Sequence, residues 1–171
     1  QLNPDLPAAG VPRQAYLERK FGPGHGHVYA RVAAVGTEVG IDFAFDRITV
    51  QPNTLDAHRL MRYGAEQGRE DAVAEQLFRA YFLEGADLTD QATLTGVGEQ
   101  AGLERAAVAS YLASERGREA VLRSDREARQ AGINGVPFFL FGRRIAVSGA
   151  QSPDTLLQAM LQASSREGEP R

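Results

Sequence analysis

Three histidines, His25, His27 and His58, are the side chains of this 171-residue sequence that titrate near neutral pH, and cysteine is absent. The missing cysteine removes disulfides, thiolate nucleophiles, Cys-ligated zinc and iron–sulfur clusters together. His25 and His27 are near enough to share a metal, but they stand in Gly22-Pro23-Gly24-His25-Gly26-His27. A stretch so rich in glycine reads as a solvated turn, so no metal site is assigned. His58 reads as structural, because spacing matches it to no carboxylate or nucleophile. Three other places have a chemical reading: Asn53-Thr54 after Pro52, Val136-Pro137 ahead of an apolar run, and Gly149-Ala150-Gln151-Ser152 ahead of Pro153. Asn53, Thr54 and Ser152 each suit a helix cap, and Pro153 suits the first helical position.

Glycine and proline punctuate the elements that carry these residues. Gln1–Asn3 suits a strand stub. Helices are expected from Pro12 to Phe21 and from His27 to Glu38, the second apolar along Val28, Val32 and Val35. Ile41–Asp46 alternates in the manner of a short strand. A helix from Asn53 or Thr54 to Gln67 turns Leu60, Met61, Gly64 and Ala65 inward. Another, Arg69–Glu84, carries Val73, Leu77, Phe78, Tyr81 and Phe82 as a wide apolar band, and Phe78, Tyr81 and Phe82 are expected to be buried. Helices over 89–101, 103–114 and 116–131 follow. Val136–Phe141 and Arg144–Val147, parted by Gly142-Arg143, read as a β-hairpin. The last helix opens at Ser152 with Leu156, Leu157, Met160 and Leu161 inward, and the tail is polar.

Composition narrows the function classes. Forty-three per cent hydrophobic and 24% charged residues describe a globular chain, and no apolar run approaches the roughly 20 residues that span a bilayer. A net charge of −3 offers no basic surface for nucleic acid. The positive residues are 18 arginines and Lys20, a bias of coding rather than a phosphate-binding signal. The sequence opens at Gln1 in a polar run without an apolar leader, which reads as a processed or partial chain.

Gly132-Ile133-Asn134-Gly135-Val136-Pro137-Phe138-Phe139, the hairpin, and Ser148-Gly149-Ala150-Gln151 opening the last helix resemble the C-terminal half of a thioredoxin fold. The resemblance is to the DsbA family, in the branch of FrnE, the 2-hydroxychromene-2-carboxylate isomerases and the kappa-class glutathione transferases. Tyr16–Gly22, Asn53–Leu60 and Leu77–Phe82 resemble that branch in the same order. The fold implied is α/β: a thioredoxin-like C-terminal ββα half with a large all-helical insertion. Residues 1–52 would join the core, 53–131 form the insertion, 132–163 form the ββα half and 164–171 the tail. One departure is large, since the family's Cys-x-x-Cys segment would lie upstream of Gln1.

The resemblance implies a dithiol–disulfide oxidoreductase whose redox cysteines are not among these 171 residues, so no catalytic residue is assigned within them. The alternatives are a glutathione-dependent isomerase or transferase, and a non-catalytic binding module. A cis Val136–Pro137 bond would present the backbone of Val136 to an extended thiol substrate. The bare dipeptide does not imply it, since X–Pro bonds are cis in only about 5% of cases. The substrate-binding set is Val136, Pro137, Asn53, Gln151 and Ser152, with Asn53 near a thiol-cofactor pocket and Gln151-Ser152 where the γ-glutamyl end of glutathione would lie. The partners implied are a thiol or disulfide substrate protein or a small thiol such as glutathione, with no covalent cofactor, no metal, no nucleic acid and no membrane. A homodimer and a cytoplasmic location go with that reading.

Disulfide exchange needs a thiolate. The 171-residue polypeptide alone is therefore expected neither to reduce insulin nor to form disulfides. Turnover above background in an insulin-reduction assay of that polypeptide would contradict this.

Overall fold

The computed structural model describes residues 1–24 and 26–165. The readings made for His25 and for the tail beyond Ser165 lie outside the described residues. The chain falls into two compact units, Gln1 with Asn3–Arg123 and Leu2 with Ser124–Arg171, and the division lies within one helix.

The first unit opens with turns, and no strand forms over Gln1–Asn3. A two-residue strand β1 (Val11–Pro12) pairs antiparallel with β2 (Val50–Gln51), Val11 opposite Gln51. Helix α1 (Arg13–Phe21) follows β1, then α2 (Gly26–Glu38). Ile41–Asp46 is not a strand. Phe43 and Phe45 stack at 4.8 Å and meet the ring of Phe82 edge-on, and Ala44 N–H bonds to Phe82 C=O. Alternation put both rings on one side as expected, but the backbone met a helix carbonyl instead of a neighbouring strand.

The core lies among α3 (Leu55–Glu66), α4 (Glu70–Phe78), α5 (Gln91–Gln100) and α6 (Arg105–Ala113), where Leu60, Val73, Leu94, Val108 and Leu112 are fully buried. Asp90 caps α5 by accepting the N–H groups of Ala92 and Thr93. Ala65 of α3 faces outward, beyond the buried Leu60–Gly64 stripe.

After α4 the chain makes a π-helical turn, Arg79–Leu83, closed by Glu84 N–H on Arg79 C=O. It overturns the expected burial of Phe78, which is 60% exposed, while Tyr81 and Phe82 are half-buried. The buried stripe is Val73, Leu77 and Ala80, at helical spacing of four and three. Phe78 stands about 100° round the helix from Leu77. There its ring stacks on Phe82 at 6.2 Å instead of entering the core.

Two buried arginines tie these elements together. Arg13 donates to Gln51 Oε1 at 2.9 Å and to the Tyr81 hydroxyl at 3.1 Å, and its guanidinium lies 4.8 Å from the Tyr29 ring. Burial pushes the Tyr81 phenol above its ordinary value, with Arg13 pulling the other way, so the hydroxyl stays neutral. Arg59, 3% exposed, spends all five donors. Nε reaches Arg116 C=O at 2.9 Å, Nη1 reaches Asp56 Oδ1 at 2.7 Å and Leu112 C=O at 3.2 Å, and Nη2 reaches Tyr111 C=O at 3.0 Å and Ser114 C=O. Of these carbonyls, that of Tyr111 also accepts the Ser114 N–H and hydroxyl, while the buried Leu112 carbonyl relies on Arg59.

In the second unit, which takes in the end of α7 (Arg118–Gln130), β3 (Phe138–Phe141) and β4 (Ile145–Ser148) form the hairpin, with Phe138 opposite Ser148 and Phe141 opposite Ile145. The connection turns at Gly142 and Arg143, both at positive φ of 55–56°. Helix α8 (Pro153–Ser165) packs on both strands. Its buried residues are Ala159 and Ala163, and Leu156 is half-buried. Leu157, Met160 and Leu161, expected inward, are exposed. The small side chains bring α8 close to the hairpin: a Cβ on Gly142 would stand 3.4 Å from that of Ala163. Close approach at the Ala159–Ala163 stripe turns the larger residues outward.

Replacing Arg59 with Met should destabilise the chain by roughly 3 kcal/mol, since it removes five hydrogen bonds and strands the buried Leu112 carbonyl. Arg59→Lys, with three donors, should fall between. Urea unfolding followed by circular dichroism checks both, and a loss under about 1 kcal/mol for the Met variant would show the carbonyls find other partners.

Candidate functional site

Val136 and Pro137 come immediately before β3, and their peptide bond is cis. Because Phe138 pairs with Ser148, this end of the hairpin also holds the turn that leads into α8. Gly149 N–H donates to Pro137 C=O at 2.9 Å, which fastens the turn to the proline. Gln151 Nε2 donates to Ser148 C=O at 3.1 Å. Ser152 caps α8: its Oγ accepts Thr155 N–H at 3.2 Å and lies 2.9 Å from Thr155 Oγ1. Four of the five residues singled out from the sequence, Val136, Pro137, Gln151 and Ser152, therefore gather at one end of one hairpin.

What this end offers a ligand is backbone. Val136 is 70% exposed, and neither its N–H nor its C=O makes a hydrogen bond among the described residues. The N–H groups of Ala150, Gln151 and Ser152 are likewise without partners among the described residues. Asp154 stands in the first turn of α8, where its carboxylate already takes up the positive end of the helix. Behind Val136, Phe139 and Phe141 stack at 6.2 Å on one face of β3.

Asn53 belongs to the first unit, and its side-chain amide is engaged by its own chain. Oδ1 accepts Leu55 N–H at 3.0 Å, and Nδ2 donates to Leu6 C=O at 2.7 Å and Pro4 C=O at 3.5 Å. Thr54 occupies the cap position of α3 without a side-chain bond, so Asn53 does that work from one residue earlier. It borders a cavity of about 260 Å³ with Leu6, Leu55, Asp56, Leu88 and Arg118. His58 donates Nδ1–H to Thr54 C=O at 2.6 Å, and His27 donates Nδ1–H to Gly24 C=O at 2.8 Å. Among the described residues no three metal-ligating side chains converge, and no helix is long and apolar enough to cross a membrane.

Sequence reasoning passed over Arg13 and Arg59, the buried charges that set α1 and α3 in place. For Arg59 a signal was present in the Asp56–Arg59 spacing of three, which puts a carboxylate and a guanidinium on one helix face. For Arg13 there was none, because its partners Gln51 and Tyr81 are distant in sequence.

A family model described as a DSBA-like thioredoxin domain matches residues 1–161. Among solved structures, a probable DsbA oxidoreductase from Streptomyces coelicolor is similar at a TM-score of 0.87 and 29% identity, over 99% of this chain and 75% of that one. No curated protein matches the sequence.

Asn53→Ala should cost about 1–2 kcal/mol in urea unfolding, by stranding Leu6 C=O and Leu55 N–H. Unchanged stability would show that the tether carries no weight and would free the amide for a ligand.

Proposed function

The chain belongs to the DsbA-like thioredoxin family, with a thioredoxin-like α/β fold that carries a large helical insertion, and we propose that the Val136 end of its hairpin docks the extended substrate of a thiol–disulfide oxidoreductase. One observation carries this reading: an exposed residue at the mouth of a hairpin whose N–H and C=O are both unpaired among the described residues. A backbone placed so can add a short antiparallel ladder to a substrate strand, with no demand on the substrate's side chains. An oxidoreductase that handles many disulfides needs such sequence-blind recognition.

The chemistry itself needs a sulfur that these 171 residues do not contain. In exchange, a thiolate attacks one sulfur of a disulfide, a mixed disulfide forms, and the other sulfur leaves as a thiolate. Within that sequence of events this chain's part is positional. Val136 would hold the backbone beside the reacting cysteine, and Gly149 N–H would keep Pro137, and so Val136, in place. In a second reading the same edge holds a peptide without thiol chemistry. The glutathione reading has less support, because Asp154 already puts an acidic residue in the first turn of α8, which disfavours a second carboxylate there.

Titrating an unstructured peptide, with serine in place of its cysteine, into the isotope-labelled chain tests the docking edge. The Val136 amide should shift and its hydrogen exchange should slow by several-fold. Unmoved signals at millimolar peptide would overturn the proposal. Insulin reduction by the natural chain then separates the two readings, since a binding module has none.

A further inference from the structure

Helix α2 has an apolar side that nothing in its own unit covers. The side it turns inward is set by Gly36, where a Cβ would come within 2.6 Å of the Phe43 ring, and by Tyr29, whose ring lies 4.8 Å from that of Phe45. About 100° round the helix from that side run Val28, Val32, Val35 and, in the closing turn, Val39. Val28 is half-buried, but Val32, Val35 and Val39 are 46%, 53% and 69% exposed. A surface helix ordinarily sets polar residues there, and a continuous β-branched stripe in water marks a contact surface.

The stripe's own arithmetic identifies what fits it. Its spacing of four, three and four is that of alternating coiled-coil seam positions. It is also symmetric about the point between Ala33 and Ala34. A two-fold axis at that point sets Val28 against Val39 of a second copy, and Val32 against Val35. The charges sit close to the same axis, their own midpoint lying one residue along, between Ala34 and Val35. Arg31 and Glu38, both exposed, flank the seam on the side away from Gly36, and neither forms an ion pair among the described residues. Antiparallel packing about that axis sets Arg31 of each copy on the same flank as Glu38 of the other, about 3 Å apart along the helix and within reach of both side chains, twice over. Parallel packing would instead set Arg31 beside the buried Gly36.

We propose that α2 is one half of a two-fold interface whose occupant is a second copy of this chain, packed antiparallel along Val28, Val32, Val35 and Val39 with reciprocal Arg31–Glu38 pairs. Such an interface is isologous, so one surface serves both sides. It is also small. A stable interface buries about 800 Å² on each partner, and a seam of three helical turns falls short of that, so the dimer is a weak and concentration-dependent one.

Sedimentation velocity of the natural chain, from low to high micromolar concentration, should show a monomer–dimer equilibrium. R31E and E38R should each weaken it roughly tenfold, since both exchange two attractions for two repulsions. The double variant R31E/E38R should return to within about twofold of the parent, because the swap preserves every pair. V35K, which sets two ammonium groups near the axis, should leave monomer only. Circular dichroism and thermal melting should not change for any of the four, as none of these side chains enters the core. A parent chain that stays monomeric throughout would overturn the proposal and leave the stripe to a different partner. So would a dimer indifferent to V35K, or a double variant as weak as the singles, which would exclude this antiparallel register.

Discussion

Arg59 is the interaction on which the helical unit depends. Helix α6 ends against α3, where the carbonyls of Tyr111, Leu112, Ser114 and Arg116 all accept from the Arg59 guanidinium. A guanidinium has the one side chain with donors enough, in a fixed planar fork, to serve all of them from a single point. Asp56, one turn earlier on α3, neutralises the charge that the site must bury. The clamp fixes the end of α6 against α3, and from there Tyr111 stacks on Tyr63 while Leu112 and Leu60 close the core. An apolar residue at position 59 could fill the volume but would release all five hydrogen bonds and strand the buried Leu112 carbonyl, so packing and polarity cannot be separated here.

The same short stretch explains why a family likeness can be read from this chain even though it has no cysteine. Asn53, Asp56, His58, Arg59 and Leu60 lie in the stretch Asn53–Leu60 that resembles the family. Each serves the fold: Asn53 tethers the segment around Leu6, His58 binds back to Thr54, Asp56 balances Arg59, and Leu60 fills the core. The Val136 end of the hairpin is built on the opposite principle. There the important groups are those left without partners among the described residues, on Val136 above all, and a ligand-sized opportunity consists of unfilled backbone valences.

The division between what could and could not be read from the sequence follows from this. Helix ends at Gly22, Gly102 and Gly132 and the hairpin about Gly142-Arg143 were legible, because positive φ and missing donors act locally. That residues 136, 137, 151 and 152 lie near one another was legible for the same reason, since hairpin register brings them together. Periodicity ranks the faces of a helix by apolarity, but it does not say which face is covered. That is why Leu157, Met160 and Leu161 were expected inside and are outside, and why the Ala159–Ala163 stripe won. Phe78 was misplaced for the same reason, since the covered face of α4 is that of Val73 and Leu77, about 100° away from it. Arg13 stayed hidden because a buried charge is recognisable only by partners far along the chain.

That turn at Arg79–Leu83 has a bearing on how such chains change over evolutionary time. It accommodates one residue more than an α-helical turn would, and all that residue does is rotate what lies on either side by about 100°. Losing it would restore regular pairing and leave a perfectly sound helix. Yet Ala44 would no longer find the Phe82 carbonyl, and the rings of Phe43 and Phe45 would lose the edge they pack against. A one-codon deletion here is thus tolerable to the helix and intolerable to its neighbours. The length of this segment should therefore be held more strictly among relatives than the identity of its exposed residues.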